Sequence, residues 1–364
     1  MIKIESLSKA FGEKSVITNL NLEIPKNNVT VLLGPNGSGK TTLLNMISGL
    51  LPPDRGRIYI NNHLVNGDKK GTKTVNVKPF ERKIGYVFQS VSLFPHMKIY
   101  DNIAYGLKSL HLSKAEIKTR TINMLEFVDL TDFAQTYPNQ LSGGQQQRAA
   151  IARSLVTEPQ LLLLDEPISA VDPQHIETFR LDLKKYLQTL KITTLYVTHN
   201  LNEAFMMADN IAILGNGHIE QTGNPTEIFN TPKSTFVANF LGFNIFKAKA
   251  VKEQNGYLIV KVKNIPLLAM LDLNLTEKNI ILTIKPEDLT ISTEKQTNHK
   301  SNNNLLGTIT EIEQTLSTTQ FTIDVGFPIK AKTTTTATKN LGVTIGDRVY
   351  VSFSSEVLNV FLEK

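Results

Sequence analysis

The chain has 364 residues, enough for about two or three domains that each bury a core. With 41% hydrophobic and 20% charged residues it has the composition of a globular protein, and no apolar run reaches the ~18 residues that can span a bilayer. The absence of cysteine excludes disulfides and thiolate chemistry, and the scattered lysines behind the net charge of +6 indicate solvated surface rather than a nucleic-acid interface.

Residues 1 to about 235 alternate short apolar strand candidates with helical stretches, the pattern of a parallel α/β sheet. The first residues, Met1–Ser6, lack the apolar stretch of a secretory signal, so we expect no export. Residues about 90–140 are helical in period, which predicts a helical subdomain inserted into the sheet. Unalternated apolar runs predict strands covered on both faces at 29–33, 84–88, 161–164 and 194–197.

A glycine-rich loop follows the first of these strands and fits the phosphate-binding pattern G-x-x-x-x-G-K-[ST]. Its glycines let backbone N–H groups turn toward phosphate oxygens at the start of a helix. Lys40 supplies a charge for the outer phosphates, and the Thr41 hydroxyl is a ligand for magnesium. A nucleoside triphosphate site is therefore expected at Gly34, Pro35, Asn36, Gly37, Ser38, Gly39, Lys40 and Thr41.

Past Phe240 the strands become short and alternating, for example at 258–262, 321–325 and 349–353. Helix signals nearly vanish, so the pattern predicts a small all-β domain, an OB-like barrel or a sandwich. The polar tract of about 292–304 is predicted to be a mobile linker inside it. The expected domains are 1–235, α/β, and 240–364, β-rich.

A second motif runs from Leu141 to Gln145, with Ser142 and Gln145 in capping-box spacing before an alanine-rich helix. A capped helix alone would not explain Gly143 and Gly144 in the first turn, because glycine is a poor helix former. Glycines there leave backbone N–H groups open to an anion.

With this motif the chain resembles the ATP-binding cassette (ABC) family, whose signature sequence is this LSGGQ run. In that family two cassettes sandwich two ATP molecules, and each phosphate-binding loop faces the signature of the other subunit. The resemblance implies ATP and Mg²⁺ as cofactors and a P-loop NTPase fold. Beyond the loop, it assigns ATP-binding positions to Phe11, Thr42, Gln89, Leu141, Ser142, Gly143, Gly144, Gln145, Asp165 and Asp172.

The remaining elements occur in the order of the family. Phe11 matches the aromatic residue that stacks on adenine, and Gln89 matches the residue that touches the metal and senses the membrane partner. Asp165, at the end of a predicted strand, matches the residue directed toward magnesium. The resemblance thus implies a metal site made by Thr41, Gln89 and Asp165.

The resemblance also implies catalytic residues. Glu166 would polarise the attacking water as general base, and His199, the switch histidine, would hydrogen-bond the γ-phosphate. Lys40 and the N–H groups of 142–144 from the opposing subunit would stabilise its charge. The segment 169–172 resembles the D-loop, with valine where leucine is usual.

Three kinds of ABC ATPase fit these motifs: an importer subunit, an exporter cassette, and an ATPase acting on DNA or ribosomes. The segments 92–97 and 101–107 resemble importer cassettes, where this region faces the permease. Leu93 and Phe94 would then be exposed apolar contacts, with a core position as the alternative.

The C-terminal region resembles the TOBE/Mop-like regulatory domain of importer ATPases for sugars, polyamines, ferric iron, sulfate and molybdate. The segments 306–309, 324–329 and 345–353 are most similar to importers of molybdate or tungstate, which predicts that cargo, with the other solutes as alternatives. Where that type carries arginines in its oxyanion pocket, this chain has threonines at 333–336. A β-strand is the favoured interpretation of this run.

The importer reading implies partners and a location. We expect a homodimer that binds integral-membrane permease subunits and, through them, serves an extracytoplasmic solute-binding protein. The expected location is the cytoplasmic face of the cell membrane, as a peripheral protein, and no nucleic-acid partner is expected.

Overall fold

The computed structural model describes residues 1–68, 74–168, 173–254, 256–270, 279–295 and 303–362, with 173–175 described by their backbone only. The chain divides into two compact units, Met1–Ile228 and Phe229–Lys364. The boundary expected from the sequence, between 235 and 240, lies a few residues further along the chain.

The first unit contains eleven described strands, which form two sheets. They are β1 (Ile2–Phe11), β2 (Lys14–Ile24), β3 (Val29–Leu33), β4 (Arg55–Ile60), β5 (His63–Asp68), β6 (Thr74–Asn76), β7 (Ile84–Val87), β8 (Leu161–Asp165), β9 (Thr193–Thr198), β10 (Asn210–Gly215) and β11 (His218–Gly223).

One sheet is antiparallel, with the order β2-β1-β4-β5-β6. The other has the order β11-β10-β3-β9-β8-β7 and is parallel except for the β10–β11 hairpin. Strands β3, β8 and β9 are buried along their whole length, because both faces of this sheet are covered. The predicted parallel α/β sheet is confirmed.

The helices of this unit follow the strands, and their bounds are α1 (Lys40–Ser48), α2 (Ile99–Ala104), α3 (Lys114–Phe127), α4 (Gly143–Leu155), α5 (Pro173–Thr189), α6 (Leu201–Met207) and α7 (Pro225–Asn230). Between β7 and β8 the chain forms α2, α3 and α4, and α2 packs against both of the others. Helix α3 begins at a capping box, in which Ser113 Oγ accepts from the Glu116 N–H and Glu116 accepts from the Ser113 N–H.

The second unit is mainly β, as predicted. Helix α8 (Thr235–Phe240) precedes its strands β12 (Asn244–Gln254), β13 (Tyr257–Val262), β14 (Ile265–Met270), β15 (Asn279–Ile284), β16 (Thr290–Ser292), β17 (Asn303–Gln314), β18 (Thr318–Asp324), β19 (Pro328–Thr334), β20 (Arg348–Phe353) and β21 (Asn359–Leu362). They form two antiparallel sheets, β14-β13-β12-β15-β21 and β16-β20-β17-β18-β19, around one apolar core.

Two asparagine side chains join these sheets by imitating a backbone pair. The amide of Asn244 accepts from the Lys330 N–H at 2.7 Å and donates to the Lys330 carbonyl at 2.8 Å. Asn303 does the same with the N–H and carbonyl of Leu268, at 2.8 and 2.9 Å. Both asparagines are buried, so these bonds satisfy groups that would otherwise lose hydration.

Two expectations for this unit need correction or limitation. The threonine run is only partly a strand: β19 ends at Thr334, whose hydroxyl accepts from the Ala337 N–H at 3.2 Å and starts helix α9 (Thr335–Leu341). A glycine at 342 with φ of +61° ends that helix. Of the predicted linker, Ser292 belongs to β16 and 303–304 belong to β17, while 296–302 lie outside the described residues.

Candidate nucleotide-binding site

The loop between β3 and α1 can be built only with glycine at its two ends. A Cβ atom on Gly34 would lie 2.3 Å from the carbonyl oxygen of Leu214. Gly39 has φ of +103°, and a Cβ there would lie 2.8 Å from Cδ1 of Ile17. The loop backbone is therefore held close to strands β10 and β2. It leads directly into the N-terminus of helix α1.

Lys40 is buried at the first position of α1 and points back into the loop. Its ammonium donates to the carbonyls of Gly34 and Pro35, at 2.9 Å each. Burial lowers the pKa of Lys40, and the nearby Glu166 and Asp165 oppose this shift. The cation is thus placed by the carbonyls of the loop, beside two carboxylates.

Ser38 and Thr41 supply hydroxyl groups of different kinds. The Ser38 hydroxyl is buried and has no hydrogen-bond partner among the described residues, which fits a group that donates to a phosphate oxygen. The Thr41 hydroxyl is bonded to the carboxyl of Asp165. Burial raises the pKa of Asp165, while the bond from Thr41 and the charge of Lys40 lower it.

These residues fit a magnesium ion that is completed by the nucleotide. Among the described residues no cluster of three His, Cys, Asp or Glu side chains could hold a metal by itself. Thr41, Gln89 and Asp165 offer a hydroxyl, an amide oxygen and a carboxylate. Mg²⁺ usually takes only a few such oxygen ligands from a protein, and phosphates and water provide the others.

Glu166 follows Asp165 with a left-handed backbone, φ of +47°. Its N–H donates to the carbonyl of Val197 at 3.0 Å. One carboxylate oxygen lies 2.8 Å from Nδ1 of His199, and the other accepts from Nε2 of Gln89 at 3.2 Å. Residues from the carboxyl ends of β7, β8 and β9 therefore meet at one carboxylate, as parallel neighbours allow.

These side chains line one cavity of about 340 Å³. Of the expected site residues it contains Asn36, Gly37, Gly39, Lys40, Thr41, Thr42, Gln89, Glu166 and His199. A neighbouring groove of about 700 Å³ contains Phe11, together with Thr41, Thr42, Gln89 and Asp165. Phe11 is 51% exposed on that groove, and the Lys9 ammonium lies 5.7 Å from the centroid of its ring.

The signature segment starts α4 as the sequence predicts. The Gln145 N–H donates to Ser142 Oγ at 3.3 Å, and the Ser142 N–H donates to Gln145 Oε1 at 2.9 Å. Neither cavity is lined by any residue of 141–145. In a single copy of the chain, the signature therefore does not line the cavity that contains the phosphate-binding loop. The expected D-loop residue Asp172 lies outside the described residues.

Three supporting residues were not foreseen from the sequence. Gln147 donates from Nε2 to the carbonyl of Glu166 at 3.1 Å. Glu203 accepts from the hydroxyls of Tyr196 and Thr198, the second at 2.8 Å. Arg82, which donates to the end of α1, is the third. For Glu203 the sequence did offer a signal, a glutamate four positions after the predicted switch histidine. Sequence position offered none for the others.

The segment after Gln89 is neither fully exposed nor core. Leu93 and Phe94 are half-buried, and the ring of Phe94 lies 4.8 Å from that of Tyr105. The Arg153 guanidinium lies 5.0 Å from the Phe94 ring centroid and donates to the Ser92 carbonyl at 2.8 Å. Burial lowers the pKa of Arg153. The segment is thereby anchored to α4.

The chain is similar to ATP-binding proteins of import systems. The profile of the family described as ABC transporter matches residues 17–169. The spermidine/putrescine import ATP-binding protein of Vibrio vulnificus is 40% identical over 314 residues, 85% of this chain and 80% of the relative. The Fe(3+) ions import ATP-binding protein of Photobacterium profundum is 43% identical over 71% and 72% of the two chains. The trehalose/maltose import ATP-binding protein of Thermococcus litoralis is 39% identical over 79% and 78%.

Solved structures agree for the first unit. The dimeric post-hydrolysis ATP-binding cassette MJ0796, bound to ADP and phosphate, is 33% identical, with a TM-score of 0.55 over 62% of this chain and 99% of that one. CbiO1 of Clostridium perfringens is 30% identical, also with a TM-score of 0.55. No helix in the described part of the chain is long and apolar enough to cross a membrane. The chain therefore belongs to the ABC transporter family, as an ATP-binding import subunit and an ATPase.

Proposed function

We propose that two copies of this chain form two shared ATP sites, each made by the phosphate-binding loop of one copy and the signature of the other. The observation that carries the proposal is the cavity around Lys40 and Glu166, which gathers the catalytic groups but not the signature at 141–145. The Ser142 N–H is bonded to Gln145, so in this proposal Gly143 and Gly144, in the first turn of α4, present their N–H groups to a phosphate bound by the second copy. The cassette at 33% identity is dimeric, which supports the pairing of two copies.

Each expected residue has a role in this proposal. Lys40, Ser38 and the loop N–H groups bind the phosphates, and Phe11 stacks on adenine. Thr41, Gln89 and Asp165 hold Mg²⁺, which neutralises charge on the phosphate oxygens when bound. The remaining loop and signature positions contribute backbone, and Asp172 is proposed as an ATP-binding position from the resemblance alone.

Hydrolysis depends on Glu166. Its carboxylate accepts a proton from the attacking water as general base, and its oxygens are oriented by Gln89 and His199. His199 also donates to the γ-phosphate, and Lys40 stabilises the charge that develops there. ATP binding closes the two copies and hydrolysis reopens them, a two-state motion that can drive a membrane partner.

The test is Glu166→Gln. The amide keeps the shape of the side chain but cannot accept the proton, so kcat should fall by at least about 10²-fold while ATP still binds and induces dimers. Glu220→Gln is the matched control, because Glu220 pairs with His218 at 3.0 Å on the β10–β11 hairpin, outside the site. Wild-type turnover by Glu166→Gln would refute the catalytic assignment.

We further propose that the dimer binds integral-membrane permease subunits at the cytoplasmic face of the membrane and serves an extracytoplasmic solute-binding protein. The names of the relatives, all of which refer to import, support this reading. The segment containing Leu93 and Phe94 is the proposed contact. Purification of the chain with a co-expressed permease tests it. ATPase activity stimulated only by DNA or ribosomes would contradict it.

For the solute, the first candidate is molybdate or tungstate, from the resemblance of segments 306–309, 324–329 and 345–353 to that type. The alternatives are a polyamine, ferric iron, a sugar or sulfate, of which the first three occur in the names of the relatives. Uptake of each solute by vesicles that contain the complete importer decides between them. Uptake of spermidine but not of molybdate would exclude the first candidate.

For the region 240–364 we propose a TOBE/Mop-like regulatory role without oxyanion binding. The threonines lie beside a cavity of about 440 Å³ lined by Glu287, Lys332, Thr333 and Asn340. Lys332 is 3.3 Å from the Glu287 carboxylate, so its charge is already paired, and Glu287 repels an anion. Calorimetry of the full chain with molybdate should show no binding at micromolar concentration. Tight binding would overturn this proposal.

A further inference from the structure

Gln147 connects the signature helix to the catalytic carboxylate of the same chain. It lies in α4, five positions after Ser142, and its side chain is only 1% exposed. From this position Nε2 donates to the backbone carbonyl of Glu166 at 3.1 Å. The bond joins residues 19 positions apart and belongs to no secondary-structure ladder.

The backbone of Glu166 depends on such support. A φ of +47° is unfavourable for a residue with a side chain, so neighbouring groups must hold it there. Two hydrogen bonds do so: the N–H donates to the carbonyl of Val197 at 3.0 Å, and the carbonyl accepts from Gln147. Because Cα lies between these two bonds, they set the direction in which the carboxylate leaves the backbone.

The N-terminus of α4, just before Gln147, carries the signature. Ser142 and Gln145 close the first turn as a capping box, and the Gln146 side chain donates to the carbonyls of Pro138 and Leu141, at 2.9 and 3.1 Å. The signature loop and the start of the helix are therefore one tied piece. A displacement of the signature moves Gln147, which lies just over one turn along the same helix.

We propose that Gln147 is a positioning residue that transmits the state of the signature to Glu166 of its own chain. The inference rests on the proposed shared sites, in which the signature of one copy holds the nucleotide bound by the other. The nucleotide of one site then biases the carboxylate that hydrolyses ATP in the other site. Gln147 is the direct hydrogen-bonded link between them.

The first variant is Gln147→Met, which keeps an unbranched side chain of similar length but removes the donor. We expect kcat to fall about tenfold through loss of the oriented carboxylate, with KM for ATP within about twofold of wild type. Ser154→Ala is the control. Ser154 is a buried residue of the same helix whose hydroxyl donates to the Tyr86 carbonyl at 3.1 Å, so the variant removes a comparable link that does not reach Glu166.

The second variant is Gln147→Glu, which tests the bond through its pH profile. An ionised carboxylate repels the Glu166 carbonyl, whereas a protonated one donates to it. Activity relative to wild type at the same pH should therefore rise as the pH falls from about 8 to about 6, because burial favours the protonated form. A merely structural defect would give a flat ratio, and a flat ratio overturns the proposal.

ATP-induced dimerisation separates the two proposals. It is measured for Glu166→Gln alone and with Gln147→Met added, and both proteins should dimerise. If Glu166→Gln alone remains monomeric with ATP, the shared sites fail and the inference fails with them. If it dimerises but Gln147→Met is folded and keeps wild-type kcat, or if only the double variant stays monomeric, the inference alone is overturned.

Discussion

Nδ1 of His199 lies 2.8 Å from Oε1 of Glu166, and this pair joins the carboxyl ends of two neighbouring parallel strands. The Glu166 side chain is 13% exposed and that of His199 is 52% exposed, so the carboxylate is enclosed while the imidazole reaches the cavity. From this position the histidine can orient Glu166, the proposed base, and also reach a phosphate placed in the cavity.

Removing this imidazole should lower the rate of ATP hydrolysis more than it weakens ATP binding. In His199→Ala the carboxylate loses one of its two side-chain partners and the γ-phosphate loses a donor, so kcat should fall about 10²-fold with a small change in KM. His218→Ala is the control, because His218 forms a His–Glu pair of similar exposure with Glu220. Steady-state ATP hydrolysis by both variants is the measurement. Equal losses would remove His199 from the mechanism.

Neutralising Asp165 should stabilise the protein while it abolishes turnover. Burial raises the pKa of Asp165 above its usual value of 3.8, so the folded state binds its proton more tightly than the unfolded state. The stability is then greatest below pH 3.8 and falls as the pH rises through the folded pKa. At neutral pH Asp165→Asn removes this cost, so Tm should increase in the absence of nucleotide.

Thermal melting of Asp165→Asn with and without Mg-ATP measures both the change in Tm of the free protein and the stabilisation by the nucleotide. The variant should also lose most of the stabilisation that Mg-ATP provides, because a metal ligand is missing. Asp54→Asn, at an exposed position where a bond from Lys9 lowers the pKa, should shift Tm in the opposite direction. A lower Tm for Asp165→Asn would contradict the prediction.

Arg82 should be a major contributor to the stability of the first unit. Its buried guanidinium donates to the carbonyls of Met46 and Ile47 at the end of α1, at 3.0 and 2.7 Å, and to that of Val77 at 2.9 Å. Burial lowers its pKa to about 10. Arg82→Met removes these donors, and of the three carbonyls that of Met46 still accepts from the Gly49 N–H at 3.2 Å. The variant should reduce the free energy of unfolding by about 3 kcal/mol.

Urea denaturation measures this loss. Arg82→Lys should recover only part of it, since an ammonium cannot reproduce the planar fork. Arg57→Met is the control, because Arg57 pairs with Glu5 at 3.3 Å on the surface and should change stability by less than about 1 kcal/mol. Similar losses of unfolding free energy for the two variants would show that the buried hydrogen bonds of Arg82 contribute no more stability than the surface ion pair of Arg57.

Glu203 should hold the backbone on either side of His199, the proposed switch histidine. Its carboxylate accepts from Tyr196 and Thr198, and the Thr198 hydroxyl in turn accepts from the Asn200 N–H at 3.0 Å. His199 lies between Thr198 and Asn200, so its backbone is held on both sides. Burial, together with Glu203, raises the pKa of Tyr196, which keeps the phenol a donor.

Glu203→Gln replaces an acceptor with a donor inside this cluster. We expect kcat to fall about tenfold and KM to change little, since no group that binds nucleotide is removed. Glu177→Gln, at an exposed position of α5, should behave as wild type. A rise in KM without a change in kcat would show that Glu203 supports binding rather than the position of His199.

The sequence predicted the site where motif and element boundary coincide. The loop at 34–41, the carboxylates of Asp165 and Glu166 at the end of β8, and the histidine after β9 all lie at strand ends, where the local pattern determines their place. Gln147 could not be assigned in this way, because its contact with Glu166 depends on how α4 packs against the sheet. Helical period indicates a buried face, not the atom that a side chain on it reaches.

The second unit shows the same limit. Alternating residues predicted its strands, but the pairing of Asn303 with Leu268 depends on the relative placement of two sheets. In the threonine run, residues from Thr335 onward form a helix although their propensity favours a strand, because Thr334 caps its start and Gly342 ends it. Propensity is a weak prior where a capping residue and a terminator are both present.

The adjacency of β7 and β8 has a consequence for how such a subunit can diversify. Val87 pairs with Leu164, so the chain leaves the sheet at one strand and returns in register at the next. Everything between them, including the segment at Leu93 and helices α2 and α3, is an excursion whose ends are fixed by the ladder. The part of it that carries Leu93, which we propose contacts the permease, can change its surface while Gln89, Glu166 and the signature at the start of α4 keep their places. The recognition of a transport partner can thus evolve separately from the machinery that consumes ATP.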